Sequence, residues 1–237
     1  MGSDANFITM QSIAPEGRAK GTMNLDSDPK NPPSTAQRSH APGNRIYGNP
    51  ETMALKATIY KAQLQLTDMD RNVYADHSVI IARHPSESDE RMMIRLLSFA
   101  LNVPADDKNG KLDFAKDLWD VDEAALWHQD YTNQILHWID VGQPDDKRLM
   151  KAAGRAKKVS VYSFASSTNV WWKGIETKLT RAANLVVWQI EAAQSQALAK
   201  LAERSMQLQV TVQDSTVWMS TANGSLEITP LRLTASL

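Results

Sequence analysis

Asp140 is a lone carboxylate in an apolar stretch, Trp138-Ile139-Asp140-Val141-Gly142, which leads straight into Gln143-Pro144-Asp145-Asp146. Desolvating a carboxylate is costly unless it is paired or binds a metal, so a buried strand seldom carries one without a partner. By the two-residue alternation of a strand, Asp140 shares a face with Leu136 and Trp138. It can serve there as a metal ligand or as the N-terminal cap of the helix that follows. Glu90 is a second candidate. It lies three residues before Met93 and seven before Leu97, which places it along the edge of a buried helical stripe. Its plainer roles are to complete the helix cap or to pair with Arg91 or Arg95. The chain has no cysteine, and its five histidines show no zinc-like spacing, so any metal would be a hard cation held by oxygen.

The elements that must position these acids can be read from periodicity. Residues 54–66 alternate apolar and polar like a strand with one wet face, and Asp68-Met69-Asp70-Arg71-Asn72 turns the chain into a second strand over 73–82. His84-Pro85-Ser86-Glu87-Ser88-Asp89-Glu90 holds a capping serine, acids for a first turn and a glutamate in range for a capping box. The stripe Met93, Leu96, Leu97, Ala100 and Leu101 continues it as a helix. Residues 103–118 read as a connection. Strands at Leu126-Trp127 and 135–141 follow, the second apolar on both faces and so central in a sheet. Pro144 suits the first turn of a helix ending at Gly154. Further on come a strand at 159–164, a helix over 168–183, a strand at 185–190, a helix over 191–203, a strand at 206–212 and two short strands around Val217 and Leu226, separated by Asn223-Gly224. The order predicts an α/β (α+β) fold with a central mixed sheet flanked by helices and added β-hairpins.

Of the 237 residues, the first 52 hold six of the ten prolines, five of the ten glycines and no tryptophan. Such a composition predicts a disordered leader, residues 1–52, ahead of a single domain over 53–237, with Met53 as a possible start of translation. The leader carries five basic and five acidic residues, which leaves 21 basic against 22 acidic in the remainder. Bulk charge therefore argues against a general grip on nucleic acid, while a local basic patch stays open. No apolar run nears the roughly 20 residues of a membrane span, and the N-terminus lacks a secretory core. A cytoplasmic protein with no membrane partner is expected.

Several motifs together resemble the YaeQ family of bacterial proteins: Arg83-His84-Pro85-Ser86-Glu87-Ser88-Asp89-Glu90-Arg91-Met92-Met93, Trp138-Ile139-Asp140-Val141-Gly142-Gln143-Pro144-Asp145, Gly154-Arg155-Ala156, Trp171-Trp172 and Val212-Gln213-Asp214. The resemblance runs from Met53 almost to the C-terminus. It implies a restriction-endonuclease-like core of the PD-(D/E)XK nucleases, in which acids and a lysine hold one or two magnesium (or manganese) ions for phosphodiester hydrolysis of DNA or RNA. The metal would acidify a water and offset charge growing on the phosphate.

Carried over by position, Glu90 matches the helix glutamate and Asp140 the acid of the acid-x-lysine pair. The lysine position falls on Gly142, so Gln143, Lys147, Arg148 or Lys151 would have to substitute. The family's Pro-Asp step reads here as Ala124-Ala125, and Asp122 or Glu123 would have to replace the lost acid. These departures leave two readings open. One is a metal-dependent nuclease using Glu90, Asp140 and Glu123 as ligands, with Gln143 and Lys147 assisting. The other is a non-catalytic module that keeps the fold and binds nucleic acid or protein through the basic run Lys147, Arg148, Lys151, Arg155, Lys157 and Lys158 and an exposed ring of Trp171-Trp172. A third, structural or regulatory role would make the acids mere caps.

Overall fold

The alternating segment at the start of the folded part forms β1 (Thr58–Asp68), which buries Tyr60, Ala62, Leu64 and Leu66 on one face and exposes Lys61, Gln63 and Gln65 on the other. The computed structural model describes residues 56–235; the leader and Met53 lie outside them. β1 turns into β2 (Val73–Arg83) and pairs with it antiparallel over its whole length. The other neighbour of β1 is distant in sequence. It pairs in parallel with β8 (Ser205–Gln213), which continues into β9 (Thr216–Thr221) and β10 (Gly224–Ile228). The first sheet thus has the order β10-β9-β8-β1-β2.

The second sheet is built from the middle of the chain. Its strands are β3 (Lys111–Phe114), β4 (Leu126–Gln129), β5 (Ile135–Val141), β6 (Ala156–Ser163), β7 (Leu185–Gln189) and β11 (Leu231–Arg232), in the order β11-β7-β6-β5-β4-β3. β5, β6 and β7 run parallel, joined by helical crossovers, while β3, β4 and β11 add antiparallel edges. Both sheets are mixed.

Helix α1 (Asp89–Asn102) packs between the sheets. Ser88 caps it, its hydroxyl accepting from the Arg91 N–H at 3.1 Å. Nine consecutive residues, Met92 to Ala100, are buried, so in place of the expected stripe the helix is buried almost all round, Arg95 and Ser98 included. One core joins the inner face of the first sheet, α1, α4 (Ala192–Ala199) and the Ile139/Val141 face of β5. A second core lies beyond the second sheet, where Trp138, Val159, Val161 and Val187 meet α2 (Asp146–Arg155) and α3 (Thr168–Ile175). The layers run sheet, helix, sheet, helix.

Several expected boundaries differ. The connection over 103–118 contains β3 and a short 3-10 turn at Asp117–Trp119. Pro144 precedes the helix cap, which is Asp145, and Gly154 lies within α2 instead of ending it. The helix expected over 168–183 gives way at Glu176 to a 3-10 turn, and that expected over 191–203 shortens to α4. No helix among the described residues is long and apolar enough to cross a membrane.

Candidate functional site

Asp140 is 3% exposed, and its partner is an arginine. Sharing a face with Trp138, it points toward α2, where Arg148 occupies the first turn. Arg148 donates through Nε to Oδ2 at 2.9 Å and through Nη2 to Oδ1 at 2.8 Å, a two-pronged pairing that takes up both carboxylate oxygens. The same guanidinium donates to the backbone carbonyls of Glu123, at 2.6 Å, and Val121. Hydrogen bonding to Asp140 raises the Arg148 pKa above its ordinary value, against the opposing effect of burial. The helix cap is Asp145, which accepts from the Arg148 N–H at 2.7 Å, so Asp140 is not the cap.

Glu90 is directed elsewhere. It sits on α1, over the opposite face of β5 from Asp140, and its Oε1 accepts from the Ser195 hydroxyl of α4 at 2.6 Å. Glu123 is turned outward to Lys116, accepting from its backbone N–H at 2.9 Å and meeting its Nζ at 3.2 Å. Asp122 pairs with the exposed Lys151, whose hydrogen bond holds the carboxyl below its usual range. Gln143 is exposed and exchanges hydrogen bonds with Ser167, and Lys147 is exposed. Among the described residues no three acids or histidines converge in a way that could hold a metal ion. The expected set of Glu90, Asp140 and Glu123 therefore does not fit magnesium or manganese in this arrangement: each acid already has a protein donor, and the three point in different directions.

Of the positions where the expected pattern departs, the two alanines are packed shut and the glycine is open. Ala124 and Ala125 are both fully buried, Ala125 in the α1 core and Ala124 in the α2 core. Gly142 has φ of +107° and open space where a Cβ would stand.

A charged cluster that the sequence reading overlooked lies one turn before Glu90. Glu87 is 3% exposed, and its carboxylate meets Arg91 at 2.9 Å and Arg95 at 3.0 Å. Asp117, held at φ +51°, takes both Nη1 and Nη2 of Arg91, at 2.5 and 3.0 Å, and stands 3.6 Å from Arg95 Nε. Arg91 also donates to the Val141 carbonyl at 3.2 Å, tying the cluster to the end of β5. Burial works against the Arg91 charge, but Asp117 and Glu87 outweigh it and raise its pKa. The available signal was the spacing: Glu87, Arg91 and Arg95 recur every four residues from just before the cap of α1 into its apolar stretch.

Part of the aromatic and basic features is also occupied, while Lys147, Lys157 and Lys158 are exposed. Trp171 donates its indole N–H to the Pro144 carbonyl at 3.0 Å, and both Trp171 and Trp172 pack in part against the α2 core. Along α2, Arg155 lies over Trp138 at 5.2 Å and donates to the Asp122 carbonyl. Exposed apolar side chains also stand nearby: Trp119, Leu118 and Val121 are 46%, 43% and 82% exposed, and Ile80 on the edge strand β2 is 65% exposed. Ile80, Ala82, Phe114, Trp119 and Trp127 line a groove of about 430 Å³ together with Arg95, Lys116 and Glu123.

The chain belongs to the YaeQ family, whose model, described as YaeQ protein, matches residues 53–230. It is similar to the YaeQ proteins of Salmonella typhi, 41% identical over 177 residues, and Escherichia coli (strain K12), 40% identical over 177 residues, in each case over 74% of this chain and 95% of the relative. The crystal structure of the YaeQ protein from Xanthomonas axonopodis pv. citri superposes with a TM-score of 0.71 at 42% identity, covering 76% of this chain and 99% of that one. The structure from Pseudomonas syringae gives 0.71 at 35% identity, over 76% and 97%.

Proposed function

We propose that the chain keeps a restriction-endonuclease-like framework of the PD-(D/E)XK kind and uses it for binding, without hydrolysing phosphodiesters. The observation that carries this reading is the Asp140–Arg148 pair: a guanidinium already neutralises the acid to which a metal would bind. The mixed second sheet with helices on both faces supports the framework. A cytoplasmic location is part of the same proposal.

The partner is a protein presenting an apolar segment. On α2, Arg148 and Lys151 are engaged by Asp140 and Asp122, which draws part of the basic run away from a nucleic-acid backbone. The groove beside Trp119 and Ile80 supplies large exposed apolar side chains close together, which single out protein-binding surfaces.

Calorimetric titration of magnesium and manganese into the full chain, with cleavage assays on plasmid DNA and on RNA, tests the reading. The expected result is neither binding nor cleavage. Metal binding that Asp140→Asn and Glu90→Gln each abolish, accompanied by cleavage, would overturn it in favour of a metal-dependent nuclease.

A further inference from the structure

Where the two sheets meet at the C-terminal end of α1, a cleft of about 270 Å³ opens among the end of β1, β6, β7 and the β8–β9 turn. Neither Asp140, Arg148 nor the Trp119 groove borders it, so it is independent of the reading above. Its floor includes Tyr162 of β6, 3% exposed. The Tyr162 oxygen accepts from Asn102 Nδ2 at 2.8 Å, but its own O–H donates to no acceptor among the described residues. Burial raises its pKa to about 12, so the hydroxyl keeps that proton. A buried donor without an acceptor costs stability unless something supplies one.

Two of the four charged residues that line the cleft, Asp68 and Arg71, pair with each other; Asp70 is held by backbone groups, and Lys158 is the one cation of the lining without an acidic partner among the described residues. Asp68 is paired with Arg71 at 2.6 Å, and Arg71 also caps the end of α1 through the Ala100 and Val103 carbonyls, each at 2.8 Å. Asp70 accepts from the backbone N–H groups of Asp214 and Ser215, each at 2.8 Å. Lys158 has no ion-pair partner among the described residues. Lys158 is exposed on β6; desolvation, and then the charges of Arg71 and Arg232, lower its pKa, and an anion beside it would offset that repulsion. Trp188 and Leu101 provide an apolar wall.

We propose that this cleft is a binding site for a small organic anion, its carboxylate or phosphate head held by Lys158 and the Tyr162 hydroxyl and its planar or aliphatic body lying against Trp188. The volume is close to the lower end of small-molecule sites, roughly 300 Å³, which suits a single ring with an acidic group. Cation, neutral donor and apolar wall are the combination such a ligand requires.

The test is titration of the full chain, followed by calorimetry and by amide NMR shifts, with indole-3-acetate as a ring carboxylate and adenosine monophosphate as a ring phosphate. Inorganic phosphate and indole serve as the head and the body alone. Saturable binding of one acidic probe is expected, with shifts centred on Tyr162 and Trp188, and the preferred probe identifies the head. Lys158→Met and Tyr162→Phe should each weaken it on the order of 10-fold, as for a hydrogen bond to a charged group. Both variants remove one polar group with little change of shape, and unchanged thermal unfolding verifies the fold. No saturable binding of either acidic probe at millimolar concentration, or binding indifferent to both substitutions, would overturn the proposal.

Discussion

Arg148 holds both oxygens of Asp140, at 2.9 and 2.8 Å, from one turn into the helix that follows the strand. Truncating the arginine leaves a carboxylate that is 3% exposed without a counter-charge. Breaking such a pair from one side costs about 3–5 kcal/mol. Arg148→Ala should therefore lower the unfolding free energy by about that amount, and Asp140→Asn combined with Arg148→Met by clearly less than the sum of the single changes. Urea unfolding measures both, and an Arg148→Ala chain within about 0.5 kcal/mol of wild type, the range of an ordinary surface change, would refute the argument.

Glu87, just before the cap of α1, and Glu90, in its first turn, are three residues apart and should respond very differently. Glu87→Gln removes the charge facing two buried guanidiniums and is expected to cost about 3 kcal/mol or more. Glu90→Gln keeps an acceptor for the Ser195 hydroxyl and should cost about 1 kcal/mol or less. Equal costs would mean that the buried cluster is not what holds the start of α1.

His137 supplies a pH signature. It is 7% exposed, hydrogen-bonded to Ser160 at 2.8 Å, and its pKa falls from 6.5 to about 3, through burial first and then the charges of Lys158 and His128. Between those values the unfolded chain binds a proton that the folded chain does not, so stability present above pH 6.5 is lost as pH falls. From pH 6.5 to 5 the loss from this group is about 2 kcal/mol, at about 1.4 kcal/mol per unit. His137→Gln should flatten the profile by that much relative to wild type; parallel profiles would show that the histidine is charged when folded.

Gly110 and Gly142 both have positive φ, yet only one is hemmed in. A Cβ on Gly110 would stand 2.0 Å from the Gln129 carbonyl oxygen and 2.6 Å from the Asp130 Cα, whereas one on Gly142 would meet nothing within 4 Å. Gly110→Ala is expected to cost about 3 kcal/mol or more, combining backbone strain with an overpacking clash. Gly142→Ala carries the strain alone, about 1–2 kcal/mol. Comparison of thermal midpoints decides the order.

The strands and the first helix were readable because their signals are local. The alternation of β1, the double-sided apolar run of β5 and the serine cap before α1 all describe what a segment does by itself. β3 and β11 were missed because each is short and exists through its pairing with β4 or β7. The fate of Asp140 was half readable: its burial and its need for a cation follow from the strand, but the choice of Arg148 over a metal depends on how α2 returns against the sheet. Asp117 was invisible because its role arises from a loop that meets α1 from 26 residues away.

The parallel pairing of β1 with β8 joins residues 144 apart, as at Gln65 and Gln209. Such a contact is slow to form, because closing so long a loop is unfavourable until much else is in place. On the ribosome, the hairpin of β1 and β2 is made long before β8, and the β1 edge stays without that partner until Ser205–Gln213 has been made. A chain released before β8 would therefore display an open strand edge, which marks it for chaperones or for proteolysis.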